Sequence, residues 1–200
     1  MSGTKERILL EALELFARDG YEAASMRDIA DRLGITKGAL YRHYRSKRDI
    51  FDAILSRMER RDAELARENS LPEGTREEMA GAYASASPER IAAFAKTMFR
   101  YWARDGFASR FRRLLMLEQF RDPEMSRLYQ QYLVSGPLGY LTDLFAALEL
   151  PEPGKAAAEF YGPMFLLWSV YDGVGDPEGA SALAEELLDA AAARLGKGKE

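Results

Sequence analysis

Apolar residues recur along this chain three and four positions apart, and no stretch sustains the alternation of a β-strand. Ile8, Leu9, Ala12, Leu13 and Phe16 make a first stripe, which predicts a helix over residues 4–18. Met26, Ile29, Ala30 and Leu33 make a second. It opens on Ser25, whose hydroxyl can accept from the orphan amides of the first turn, and closes at Gly34, a residue suited to a left-handed helix end. Ile35 plugs the turn, Thr36 caps a short third helix, and Leu40 anchors that helix inward. Ser46 caps again, starting a long helix from Lys47 towards Asn69 with Ile50, Phe51, Ile54, Leu55 and Met58 inward. The second half of that helix, 59–68, is dense in charge and is expected to be exposed or to connect head and body.

Residues 69–87 are the least patterned, and a boundary between domains is expected near them. Ser87-Pro88-Glu89 then combines cap, first-turn proline and acid, predicting a helix to residue 103 or 104. Further helices are expected over 107–121 and 122–148, the second bent at Gly136-Pro137. Pro151 to Gly154 break the pattern. Helices over 155–171, kinked at Pro163, and 178–195 follow, joined by 172–177, and the tail from Gly196 is expected to fray. The class is all-α.

The short third helix cannot bury all of its residues. Lys37, Gly38, Ala39, Tyr41, Arg42, His43 and Tyr44 surround Leu40. A helix, a tight turn and a short basic and aromatic helix are how a helix-turn-helix presents its recognition helix to a DNA major groove. Charge agrees. Between Asp31 and Asp49 stand Arg32, Lys37, Arg42, Arg45, Lys47 and Arg48 and no acid, although the whole chain carries net −4. Cations concentrated on one module of an acidic chain are the footprint of phosphate binding. Gly38 and Ala39 allow close approach, and Lys47 in the first turn of the next helix suits a phosphate.

Residues 4–55 resemble the N-terminal domain of the tetracycline-repressor (TetR) family of bacterial transcription regulators. The elements that carry the resemblance are Ile8-Leu9, Ala12, Leu15-Phe16 and Gly20-Tyr21, then Ser25 through Ala30, then Leu33 through Tyr41 with His43-Tyr44, and Ser46-Lys47 with Ile50-Phe51. The family often has Phe where His43 stands, a minor departure. The resemblance implies an N-terminal three-helix helix-turn-helix head, residues 1–50, and a C-terminal helical bundle for ligand binding and dimerisation, residues 51–200. It further implies that Lys37, Gly38, Ala39 and His43 meet bases or the groove wall. Tyr41 and Lys47 then hold phosphates, with Arg27, Thr36, Tyr44 and Arg48 as secondary contacts, and Arg42 does either. Specificity is expected in Lys37 and Arg42, because long basic side chains can donate to guanine acceptors.

The body is rich in aromatic residues, which suit either plain core packing or an apolar pocket between helices. Phe99, Trp102, Phe111, Tyr132, Phe165 and Trp168 are the candidate lining. Glu118 interrupts the apolar run 114–117, and it either orients a cationic or hydroxylated ligand or pairs with Arg112 or Arg121 at helical spacing. Along the last two helices, Phe160, Met164, Leu167 and Tyr171, with Leu183, Leu187 and Ala191, suit a four-helix dimer interface, the alternative being packing within their own body. One short recognition helix reads few base pairs, so two-fold pairing on a palindromic operator is expected. The resemblance adds a small, largely apolar or aromatic effector that releases a repressor from double-stranded DNA.

Composition excludes other classes. There is no cysteine, hence no disulfide, thiolate metal site or cysteine nucleophile. The single histidine lies in the basic module, and no Gly-rich phosphate loop or metal-spaced cluster occurs, so no catalytic residue, metal or cofactor is expected. An enzyme would have to rest on carboxylates such as Glu118 or on tyrosines. A structural protein binding DNA without sequence preference is the other alternative, and the acidic body argues against it. No apolar run reaches membrane-span length, so a cytoplasmic protein without a membrane partner is expected.

Overall fold

Caps and apolar stripes set the helices, and the computed structural model describes residues 3–68, 87–173 and 177–197. In chain order these are α1 (Gly3–Asp19), α2 (Met26–Leu33), α3 (Lys37–Tyr41), α4 (Lys47–Glu68), α5 (Pro88–Arg104), α6 (Ala108–Glu118), α7 (Pro123–Leu133), α8 (Ser135–Ala147), α9 (Pro153–Gly173) and α10 (Pro177–Lys197). No strand occurs among the described residues, so the all-α expectation holds. The boundary expected at 69–87 lies outside the described residues except for Ser87, whose side chain caps α5 by accepting from Arg90 N–H.

Two compact units emerge, Met1–Leu65 with Gly106–Tyr129, and Ala66–Asp105 with Gln130–Glu200. The first therefore takes in much of α4 and all of α6 beyond the head of residues 1–50. Burial explains this. Ile8, Leu9, Leu13 and Phe16 of α1, Ile29 of α2, Leu40 of α3 and Ile50, Phe51 and Ile54 of α4 are all fully buried. Removing α4 would uncover that core, at about 1.5–3 kcal/mol for each large apolar side chain. α6 packs on α1. Arg110 of α6 bonds Glu14 of α1, and Arg57 of α4 stacks 3.6 Å over Phe107 while pairing with Glu6 at 2.6 Å. The second half of α4 is less exposed than its charge suggested, with Leu65 only 4 % exposed.

In the second unit α5, α9 and α10 pack together and α8 packs on α9. The long helix expected over 122–148 is two helices, separated at Val134 (φ −130, ψ −86). Pro137 has no N–H to offer the carbonyl four residues back, that of Leu133. Tyr161 of α9 supplies the missing donor, its hydroxyl bonding Leu133 O at 2.8 Å. Gly136 is needed at this break, since a Cβ there would come within 1.9 Å of Gln131 O. Pro163 lies inside α9 as expected. Residues 174–176 and 198–200 lie outside the described residues, and α10 runs to Lys197, past the point where fraying was expected.

Candidate nucleic-acid interface

Local chemistry shapes the helix-turn-helix. Ser25 and Asp28 form a reciprocal capping box at the start of α2, with Asp28 N–H donating to the Ser25 hydroxyl at 3.2 Å and Ser25 N–H to the Asp28 carboxylate at 2.9 Å. The Ser25 hydroxyl, donating to the Asp28 carboxylate at 2.5 Å, and after it the Ser25 N–H hold the Asp28 carboxyl below its ordinary range. α2 ends in a left-handed turn at Gly34 (φ 66), after which Ile35 N–H returns to Ala30 O at 3.1 Å. Thr36 caps α3 by accepting from Ala39 N–H at 3.2 Å, and Leu40 pins α3 to the core with no exposure.

What remains of α3 faces outward. Thr36, Lys37, Gly38, Tyr41 and Arg42 are exposed, and Ala39 and His43 are half-buried. Open space surrounds the position a Gly38 Cβ would take, and the Lys37 ammonium lies 5.6 Å from the Tyr41 ring. Tyr44 differs from the rest of the expected contact set. It is 9 % exposed, and burial raises its phenol pKa, so its body belongs to the core. Arg27 is exposed, 3.6 Å from Asp31.

Lys47 and Arg48 already have partners within the first unit. The Lys47 ammonium donates to Tyr21 O at 2.6 Å and Glu22 O at 3.2 Å, and it lies 4.3 Å from the Tyr21 ring. Arg48 donates through Nε to Asp52 at 2.7 Å and through its two terminal nitrogens to Glu124 at 2.5 and 2.8 Å. The loop between α1 and α2 is gripped from a second side as well. Tyr21 N–H donates to Glu118 at 3.2 Å, and Tyr21 packs between Phe16 and Phe51. Gly20 has φ +93, and a Cβ there would stand 2.6 Å from the Glu118 carboxylate, so two constraints require glycine. Glu118 is thus a buried clasp on the head, with Arg121 at 3.6 Å as one of the two pairings its spacing allowed.

Five of the candidate pocket residues gather in the second unit. Trp168 stacks parallel to Phe99 at 6.3 Å, with Trp102 and Phe165 also at 6.3 Å, and Trp102 meets Tyr132 edge-on. The Trp168 indole donates to Phe99 O at 3.3 Å. Phe111 and Glu118 belong to the first unit. Of the candidate dimer residues, Phe160, Met164, Leu167 and Ala191 are buried within the chain, Tyr171 is half-buried, and Leu183 and Leu187 are exposed. The outward apolar positions of α9 are Leu166, 65 % exposed, and Val170, 48 % exposed, neither of them singled out in the sequence. Among the described residues no helix is long and apolar enough to cross a membrane, and no cluster of potential metal ligands occurs.

Residues 8–54 match the bacterial regulatory proteins of the tetR family. The chain is 45% identical over 51 residues to the HTH-type transcriptional activator FasR of Mycolicibacterium smegmatis, covering 26% of this chain and 23% of that protein. It is 34% identical over 80 residues to the HTH-type transcriptional repressor AcnR of Corynebacterium diphtheriae, covering 40% and 42%. The matched segments thus span less than half of these relatives. Over nearly the whole length, the fold is similar to that of SmeT in its triclosan complex, with TM-score 0.63, 18% identity and 96% and 91% of the two chains covered. The helix-turn-helix built from Ser25 to Phe51 lies within the segment, residues 8–54, that is similar to the tetR family of bacterial regulatory proteins.

Proposed function

We propose that this chain is a homodimeric transcription regulator, a repressor, that binds a palindromic operator through α3 and is released by a small, largely apolar or aromatic effector. One observation carries the proposal. α3 is pinned by Leu40 and capped by Thr36, while Lys37, Gly38, Tyr41 and Arg42 face outward from it. Lys37 and Arg42 are the bidentate-capable donors for guanine, and Tyr41 and Lys47 are the phosphate contacts. His43 and Ala39 meet the groove wall.

The dimer is supported by Leu166 and Val170 on α9 with Leu183 and Leu187 on α10, four exposed large apolar residues on helices that pack together. The effector site is supported by the aromatic cluster around Trp168 and by the triclosan complex of the similarly folded SmeT. FasR is named an activator and AcnR a repressor, so the direction of control is open to direct assay. Anisotropy titration of labelled duplexes tests the whole reading. A specific operator should be bound at least a thousandfold more tightly than random sequence, the usual lower bound of roughly 10³ for specific regulators. Leu183→Asp with Leu187→Asp should yield a monomer that loses the preference. Equal affinity for every duplex would instead indicate a sequence-neutral DNA-binding protein.

A further inference from the structure

Arg48 stands in the first turn of α4, beside the phosphate contact Lys47, and is itself one of the expected secondary DNA contacts. A guanidinium offers two donor edges. In Arg48 the Nε is taken by Asp52 at 2.7 Å, one turn along α4, which fixes the direction of the side chain. The two terminal nitrogens form a fork, and both of its prongs sit on the two carboxylate oxygens of Glu124, at 2.5 and 2.8 Å. That fork fits a carboxylate and a phosphate equally well. Both partners remain reachable from water, with side chains 50% and 34% exposed.

Glu124 is itself held in place. It lies in the first turn of α7, where its N–H donates to Asp122 at 2.7 Å and the next amide, of Met125, to the same oxygen at 2.9 Å. A capped helix start therefore presents its carboxylate to a residue 76 positions earlier in the chain. Its bond to Arg48 holds its carboxyl below the ordinary range, so the group stays an anion near neutral pH.

We infer that Glu124 is an internal stand-in for an operator phosphate on Arg48, so that DNA must displace it to recruit this cation. The forward-facing N–H pair of the fork cannot serve both anions at once. While Glu124 is in place, Arg48 contributes little net charge to the DNA-facing head, and affinity is held below what the basic module alone would give. The inference rests on the DNA-binding function proposed above and assigns a residue of the 106–129 segment to setting the strength of that binding.

The test uses the full chain, Glu124→Gln, Arg48→Gln and the double variant, titrated against a selected operator and a random duplex over a range of salt. Glu124→Gln should tighten binding to both duplexes by about two- to five-fold, the range of an exposed ion pair. It should also steepen the dependence of log affinity on log salt by roughly 0.9, one further phosphate contact. In the Arg48→Gln background the same substitution should do neither. Weaker or unchanged binding on Glu124→Gln, with parent binding intact, overturns the inference. So does a gain that persists without Arg48, which would be a general loss of negative charge. A parent protein that binds no duplex overturns the DNA-binding function itself, and the inference with it.

Discussion

Replacing Lys47 with methionine keeps the aliphatic stem and removes only the ammonium. That ammonium makes two bonds to backbone oxygens of the loop between α1 and α2, at 2.6 and 3.2 Å, and lies 4.3 Å from the Tyr21 ring. The side chain is 21% exposed, so water can replace part of what is lost. A hydrogen bond to a charged group contributes about 1.5–3 kcal/mol and a part-exposed cation–π contact about 0.5–1 kcal/mol. After discounting the longer bond for its exposure, Lys47→Met should destabilise the protein by about 2 kcal/mol. In urea the midpoint should fall by about 1 M at unchanged slope. A shift below about 0.3 M would mean that the ammonium is solvated and its loop contacts contribute nothing. DNA binding adds a second readout. An ammonium has three donors and two are used, which leaves one for a phosphate. The variant should therefore bind every duplex more weakly by a similar factor and show a flatter salt dependence.

Other expectations concern single groups. Tyr161→Phe leaves the buried Leu133 carbonyl without its hydroxyl donor and should cost about 1–3 kcal/mol in urea or thermal denaturation; a loss within error would mean that water or relaxation satisfies that carbonyl. Burial, reinforced by the charge of Glu59, pushes the Asp62 carboxyl up to about 7. A carboxyl with a raised folded pKa stabilises fully below its unfolded value near 3.8, and that contribution is lost as pH rises towards 7. Asp62→Asn should accordingly flatten this slope and stabilise the protein at pH 8 by up to about 4 kcal/mol, and parallel pH–stability curves would refute it. Arg42→Ala should change which operator is preferred rather than weaken all sequences alike, read by competition between duplexes with altered guanines.

The head was legible in the sequence because its determinants are local. Ser25, Gly34, Thr36 and Leu40 act over a few residues, and each occupies its expected role, while the reciprocal bond from Asp28 was not read. The break between α7 and α8 was half legible. Gly136-Pro137 marked a bend, but the donor that lets the chain separate there, Tyr161, lies 28 residues away. The grip on the head was not legible at all. Glu118 meets Tyr21 across 97 positions and Glu124 meets Arg48 across 76, and no helical period encodes such pairs. Residues 122–124 entered only as the beginning of the helix expected over 122–148, although the geometry there aims Glu124 at Arg48. α9 shows a different difficulty. It is apolar nearly all round, so spacing finds stripes without saying which one faces inward. Phe160, Met164 and Leu167 turn to the interior, and Leu166 and Val170 turn out.

Selection of bound duplexes from a random pool by the full-length protein at near-physiological salt, followed by sequencing, tests the regulator function most directly. Two inverted half-sites, with centres one helical turn or a multiple of it apart, are expected, with guanines where Lys37 and Arg42 reach. Enrichment without any motif, or no enrichment at all, would contradict a dimeric sequence-specific regulator reading DNA through α3.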